Sequence, residues 1–468
     1  MSYFSLIYLG IFSLIISVLS FFNIIYSYYF NLYLNLDSYI YALILSLLLG
    51  LIFLIKKKDN YKISIYHKIV TVISGYFILP IIISIPFYFS IYNISFLDSY
   101  FESISGFTST GFSVFDNVKH LDESLILWRS SSQWVGGLYF LFSIILLIDI
   151  FDNSLKKSLT NFLSFNVSET LKQSSKILIL YILLTFGIFV ILNILDFRIF
   201  DSFNLSMTLI SSGGFLPVNN LSGIVNTNIK EIAFALLMLV SFFSIFLSYN
   251  LFFVKNRNIS FFQEDIYLFI YLIILIFLFF LFFNSEYNFS VILLSLASSV
   301  SNIGISLDHS PPNLSFIFLI LVIIGGSFFS TSSGIRFLKI YALFKFAIND
   351  LISHVRPKNV FLNRNLFLNV NFQKVEIDKY FLSVMIFIIS LFLLTSFLTV
   401  SGISLESSFK LSILTLMNTV NSSMFDLNYF DFQELQFFTK YYLIIFMIIG
   451  RVELLTLLII CKKFLFKN

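Results

Sequence analysis

The chain has 468 residues, of which 58% are hydrophobic and only 12% charged, with a formal net charge of +4. A soluble domain carries about 25% charged residues, so this chain lacks the polar surface of a soluble enzyme, a disordered protein or a nucleic-acid binder. A single cysteine, Cys461, excludes an intramolecular disulfide and a cysteine-based metal site, and the four histidines at 67, 120, 309 and 354 form no readable cluster.

A bilayer crossing takes about 20 apolar residues. Long apolar stretches run over 4–30, 39–55, 66–96, 124–151, 174–195, 231–254, 266–283, 313–347, 380–399 and 436–461, which predicts ten crossings. No basic segment precedes the first stretch and a second follows at once, so the first reads as a retained helix rather than a cleaved leader. With the N-terminus inside, loops 56–68, 152–176, 255–263, 348–379 and the tail after 461 face the cytoplasm. Most of the 29 Lys and Arg lie in or beside these segments, as the positive-inside rule requires. On the outer side the acids outnumber the bases, with Asp98, Glu102, Asp116, Asp122, Glu123 and Asp431 among them. An acidic mouth concentrates cations; ordinary loop solvation is the alternative.

After residue 65 the spans pair off, and each pair shares one kind of outer connection. The four connections are FLDSYFESISGFTSTGFS (96–113), IFDSFNLSMTLISSGGF (199–215), EYNFSVILLSLASSVSNIGIS (286–306) and SLESSFKLSILTLMNTVNSSMF (404–425). Each has a Ser/Thr-rich, half-apolar stretch, usually with an acid near its start, and ends in a short Gly- or Ser/Thr-rich turn. With Gly111, Gly214, Gly304 and Asn421 taken as equivalent, the intervals are 103, 90 and 117 residues. Such a period predicts a repeat of four helix–loop–helix units, over 61–160, 161–260, 261–360 and 361–468, after two further helices in 1–60. The half-apolar stretch suits a short helix dipping in from outside, its C-terminal partial charge aimed into the membrane. Irregular backbone at that depth is tolerated only where it lines a path or is buried. Four such turns around one axis would aim carbonyls inward, the arrangement that replaces the hydration shell of K⁺.

These residues resemble the Trk/Ktr/HKT superfamily of potassium transporters, most closely its Trk branch. ESISGFTSTGFS (102–113) with LWRSSSQWVGG (127–137) is similar to the first-unit signature, IGGSFFSTSSGIRFLK (324–339) to the third-unit segment, and IIGRVELLTLL (448–458) to the last helix. The resemblance implies an all-α integral membrane protein with four helix–pore-loop–helix repeats around a pseudo-fourfold pore and two additional N-terminal transmembrane helices. It implies K⁺ uptake across a bacterial cytoplasmic membrane, no enzyme activity and no bound cofactor, K⁺ being the transported ion. It also implies a homodimer and a cytosolic nucleotide-binding regulatory subunit of the TrkA-like kind.

Carried over position by position, the implied filter is Ser109, Thr110 and Gly111; Ser212, Gly213 and Gly214; Asn302, Ile303 and Gly304; and Thr419, Val420 and Asn421. In the fourth unit the family pattern Leu-Asn-Asn-Leu-Gly-Pro-Gly is met by Met417 to Ser423, so Asn421 falls on the filter glycine. That departure opens a Na⁺-permeable or weakly selective transporter as the alternative, and a nonconducting subunit as another. An intramembrane enzyme would need paired acids or histidines in the membrane plane, which the sequence does not offer.

The third-unit stretch 313–347 is too long for one straight crossing, and a Gly/Ser/Thr interruption at its middle predicts an unwound segment. The resemblance makes this a gate loop, with Gly325, Gly326, Ser330, Thr331, Ser332, Ser333 and Gly334. Arg451 lies within a span, where an unpaired cation is costly, so it should face the pore, an acid or backbone carbonyls; the resemblance implies a place beneath the filter, and an ion pair with a neighbouring helix is the alternative. Asp149 reads as structural. Arg129, between Trp128 and Trp134, reads as an interfacial anchor first and as a brace for the first filter loop second. The sequence has no nucleotide motif of its own.

Overall fold

A computed structural model of the chain describes residues 3–55, 65–147, 170–248, 263–283, 287–355, 374–427 and 430–452. Asp149, Glu453 and most of the basic inner segments lie outside these residues. Everything regular among the described residues is helical.

Helices α1 (Tyr3–Tyr29) and α2 (Leu36–Ile55) form a hairpin. It packs on α3 (Ile65–Tyr88), and α1 also meets α5 (Glu123–Leu147). Between α3 and α5 comes the short α4 (Phe96–Phe107). A long helix followed by one of 12 residues returns three times. The second unit has α6 (Thr170–Ile194), α7 (Ile199–Ile210) and α8 (Asn228–Met238). The third has α9 (Gln263–Phe283), α10 (Phe289–Val300), α11 (Ser315–Ile324) and α12 (Phe337–Val355). The fourth has α13 (Lys374–Val400), α14 (Leu405–Leu416) and α15 (Phe437–Val452).

Seven of these helices are long and apolar enough to cross a bilayer. The four short ones, α4, α7, α10 and α14, have 12 residues each, about 18 Å of helix against a hydrocarbon core of about 30 Å. They reach only partway. Ser95 caps α4 by accepting from the Asp98 amide at 3.1 Å, and Ser404 caps α14 through the Ser407 amide at 3.3 Å.

The units close into a ring in chain order. α5 packs on α7, α8 on α10, α11 on α14, and α15 on α4. Units one and three are therefore opposite, as are two and four. The polarity of the assembly is inverted relative to a soluble protein. Phe269, Phe277 and Phe282 of α9 are exposed, as a lipid-facing surface requires, while serines and threonines crowd the centre. Many of those hydroxyls are satisfied by carbonyls of their own helix. Ser131, for example, donates to the Leu127 carbonyl at 2.8 Å.

Two expected spans are broken. Residues 231–254 do not form one helix: α8 stops at Met238 and turns follow over 239–243. The stretch 313–347 divides into α11 and α12, with irregular backbone from Gly325 to Arg336. The two breaks bond to each other. The Ser327 and Ser332 amides donate to the Phe242 and Ser241 carbonyls at 3.0 and 3.2 Å, and the Ile245 amide donates to Phe329. Neither could be irregular alone at this depth; each satisfies the other.

Candidate functional site

Each short helix ends the same way. A helical cap residue (Thr108, Ser211, Ser301, Met417) is followed by a residue with left-handed backbone: Ser109, Ser212, Asn302 and Asn418, with φ of 59°, 56°, 59° and 48°. Amides of the first two turn residues then bond back to helix carbonyls in one pattern. Ser109 and Thr110 reach Gly106 and Ser105, and Asn418 and Thr419 reach Thr415 and Leu414. This common geometry fixes the register of the four loops.

The register corrects one expectation. Gly111, Gly214 and Gly304 stand three residues after their caps; in the fourth loop that position is Val420, not Asn421. The fourth triple is Asn418, Thr419 and Val420. Asn421 lies one step further out, where its amide donates to the Leu427 carbonyl at 3.3 Å. The motif match anchored on the Asn-rich string, whereas the helix end sets the geometry.

The four loops contact one another. Asn418 Nδ2 donates to Thr110 Oγ1 at 3.0 Å and to the Met447 carbonyl at 2.9 Å, joining loops four and one. Ser212 Oγ donates to the Ser301 carbonyl, joining two and three. Asn302 Nδ2 lies 3.4 Å from Thr419 Oγ1, and the Val420 amide 3.4 Å from the Ile303 carbonyl, joining three and four. Loops one and two touch directly: a Cβ built on Gly111 would lie 2.8 Å from Gly214 Cα. Gly111 has φ +85° and Gly304 +81°, conformations that disfavour any side chain.

Above the ring is an open cavity of about 620 Å³. Gly111, Gly214, Ile305 and Val420 bring all four loops to it, and Asp116 and Asp431 line its sides. Partial burial and the nearby Asp431 hold the Asp116 carboxyl above the usual carboxylate range.

Below the ring lies Arg451, fully buried. Its Nη1 donates to Ser333 Oγ at 2.6 Å and its Nη2 to Ser109 Oγ at 3.3 Å. Its guanidinium stacks on Phe140, 4.0 Å from the ring centroid. One cation thus bridges the first of the four loops and the interrupted segment of the third unit. No acid pairs with it among the described residues, against the ion-pair alternative.

The interrupted segment is a closed loop. Gly325 (φ +68°) and Gly334 (φ +88°) meet so closely that a Cβ on Gly325 would lie 2.2 Å from the Ser333 carbonyl. Ser332 Oγ accepts from the Gly326 amide at 3.1 Å and shares a 2.7 Å bond with Ser330 Oγ. Thr331 Oγ1 donates to the Ile210 carbonyl, the last residue of α7, at 2.8 Å. Arg336, just after this segment's second turn, is buried. Its Nη1 holds the Ser327 and Ser332 carbonyls at 3.0 and 2.7 Å. Its place just after Gly334 was the only sequence signal for that role.

Arg129 also departs from expectation. It is no interfacial anchor. Its Nε donates to Glu102 Oε1 at 2.8 Å and its Nη2 to Ser113 Oγ at 2.9 Å, both side chains being buried. Glu102 Oε2 accepts from the Val114 amide at 2.9 Å. The pair clamps the backbone leaving the first of the four loops, so Arg129 is a brace, and Glu102 is not a mouth acid. Gln133, unremarked in the sequence, serves the second loop by accepting from the Phe215 amide at 3.3 Å.

With this geometry in hand, comparison with known proteins is informative. No family model matches the chain. An uncharacterized cation transporter of Methanocaldococcus jannaschii is 25% identical over 345 residues, 72% of this chain and 71% of its own. The Trk system potassium uptake protein TrkG of Escherichia coli is 24% identical over 435 residues, 88% of each chain. The crystal structure of the potassium transporter TrkH from Vibrio parahaemolyticus superposes with a TM-score of 0.84, covering 98% of both chains at 20% identity. The fold is that of the Trk membrane subunits. The resemblance read from the short-helix motifs is borne out, as is the all-α membrane architecture, and the relatives are transporters rather than enzymes.

Proposed function

We propose that this chain is the membrane subunit of a K⁺ uptake system of the Trk type, conducting K⁺ inward under the membrane potential. The observation that carries the reading is the stack on one axis: an acidic outer cavity, a ring of four turns, and a buried arginine joined to a closed loop beneath. The mouth gathers cations. The C-termini of four short helices direct partial negative charge toward the ring, and backbone carbonyls with Ser109, Thr110, Ser212 and Thr419 supply oxygen ligands. Arg451 sets an electrostatic barrier below the ring, and residues 325–334 block the path until they move.

Further parts of the reading rest on charge placement and on the relatives. The bases at the inner segments orient both termini to the cytoplasm of a bacterial inner membrane, and segments 152–176 and 348–379 offer a cytosolic nucleotide-binding regulatory subunit a basic docking surface. The reading includes a homodimer, as the resemblance to the Trk branch suggests, with unit boundaries at 61–160, 161–260, 261–360 and 361–468 after the hairpin in 1–60. A Na⁺-permeable transporter is the second reading, favoured by the side chain that Val420 brings to the ring.

The test is uptake of radiolabelled Rb⁺ and Na⁺ into proteoliposomes with an inside-negative potential. Rb⁺ uptake above Na⁺ uptake is expected. Equal entry of both ions supports the second reading, and no flux of either, with the regulatory subunit supplied, overturns the first.

A further inference from the structure

We propose that Val420 is a hydrophobic collar across the outer end of the filter and the residue that limits permeation there. The inference rests on the reading of this ring as a cation pathway. Three of the four equivalent positions are glycine, and the fourth side chain reaches across the ring. A Cβ built on Gly214, in the opposite unit, would lie 2.4 Å from Val420 Cβ and 2.7 Å from its Cγ1; one built on Gly111 would lie 3.0 Å from Val420 Cβ. The valine is therefore already in van der Waals contact with the glycine facing it, and no ion or water fits between them. Its own backbone meets the remaining unit, since a Cβ on Gly304 would lie 2.5 Å from the Val420 carbonyl. The outer cavity ends on this contact, with Gly111, Gly214 and Val420 all lining it.

The sequence can hold a valine here because the backbone permits it. Val420 is not among the positive-φ residues, unlike Gly111 and Gly304. A branched aliphatic group at a constriction offers an ion no ligand, and such constrictions close by excluding water. Passage then requires loop four to shift, and its hold on loop three at this level is a long hydrogen bond of 3.4 Å from the Val420 amide to the Ile303 carbonyl.

The experiment compares Rb⁺ flux of the native chain, Val420→Ala, Val420→Gly, Asn421→Gly and Arg451→Ala in the same proteoliposomes. Flux should rise several-fold in the order native, Val420→Ala, Val420→Gly, and Val420→Gly should exceed Asn421→Gly. The alanine variant covers the case in which glycine costs folding. If Arg451→Ala conducts more than native while both Val420 variants do not, the collar is wrong and the pathway stands. A larger gain from Asn421→Gly also overturns the collar. If no variant conducts any cation, the pathway reading fails and the collar with it.

Discussion

Two buried arginines carry the residue-scale argument. Arg129 and Glu102 are desolvated together, and removing one partner leaves the other charge unpaired, a loss of about 3–5 kcal/mol. Arg129→Ala should therefore lower the melting temperature in detergent sharply, with Arg129→Lys recovering only part because it cannot serve both Glu102 and Ser113. A native-like melting curve for the alanine variant would show the clamp to be idle. Arg451 differs in that its partners are neutral hydroxyls and a ring. Arg451→Ala should raise cation flux if the guanidinium is a barrier; unchanged flux in a folded variant would leave it a structural strut. The sequence singled out Arg451 as a cation within an apolar span and Arg129 by its place beside Trp128 and Trp134. It could not choose Arg129's role, since the deciding partner, Glu102, lies 27 residues away in another helix. Val420 was misread for a related reason. Register in a short loop is set by where the preceding helix stops, and one residue of slip is invisible in a string of small polar letters.

At the scale of elements, hydropathy and repeat spacing were enough for the long helices and for the four short ones. The break in α11–α12 was legible because Gly325, Gly326 and Gly334 mark it. The break after α8 was not, for residues 239–244 contain neither glycine nor proline. That break is imposed by its partner, whose amides take the Ser241 and Phe242 carbonyls. The closed loop depends on the backbone contact of its two ends. Gly325→Ala adds a Cβ at φ +68° and 2.2 Å from the Ser333 carbonyl, so the ends must part. Raised flux in the Rb⁺ assay is expected if the loop is the block, whereas loss of Rb⁺ flux in a monodisperse variant would argue that loop closure supports conduction.

At the scale of the whole molecule, the open cavity above the ring is flanked by two acids, Asp116 and Asp431. The attraction that exposed carboxylates exert on cations is screened within about 10 Å at 0.1 M salt. Asp116 is held above the usual carboxylate range by partial burial and by Asp431. A raised value means that it takes up its proton at a higher pH than an ordinary aspartate. Uptake at low ionic strength should therefore fall as external pH drops toward the carboxylate range, and Asp116→Asn should flatten that fall. High salt should mute it in both proteins. An equally steep pH profile in the variant would assign the effect to another group.

Gly214 owes its constraint to a neighbour rather than to its own backbone. Gly111 and Gly304 are bound to be glycine by positive φ, but Gly214 does not have one, and what excludes a methyl there is Val420. The two positions are thus energetically coupled, and their substitutions should not add. Gly214→Ala should be severe in the native chain and mild in a Val420→Gly background. The same alanine thus has two different costs, set by a residue 206 positions further along the chain.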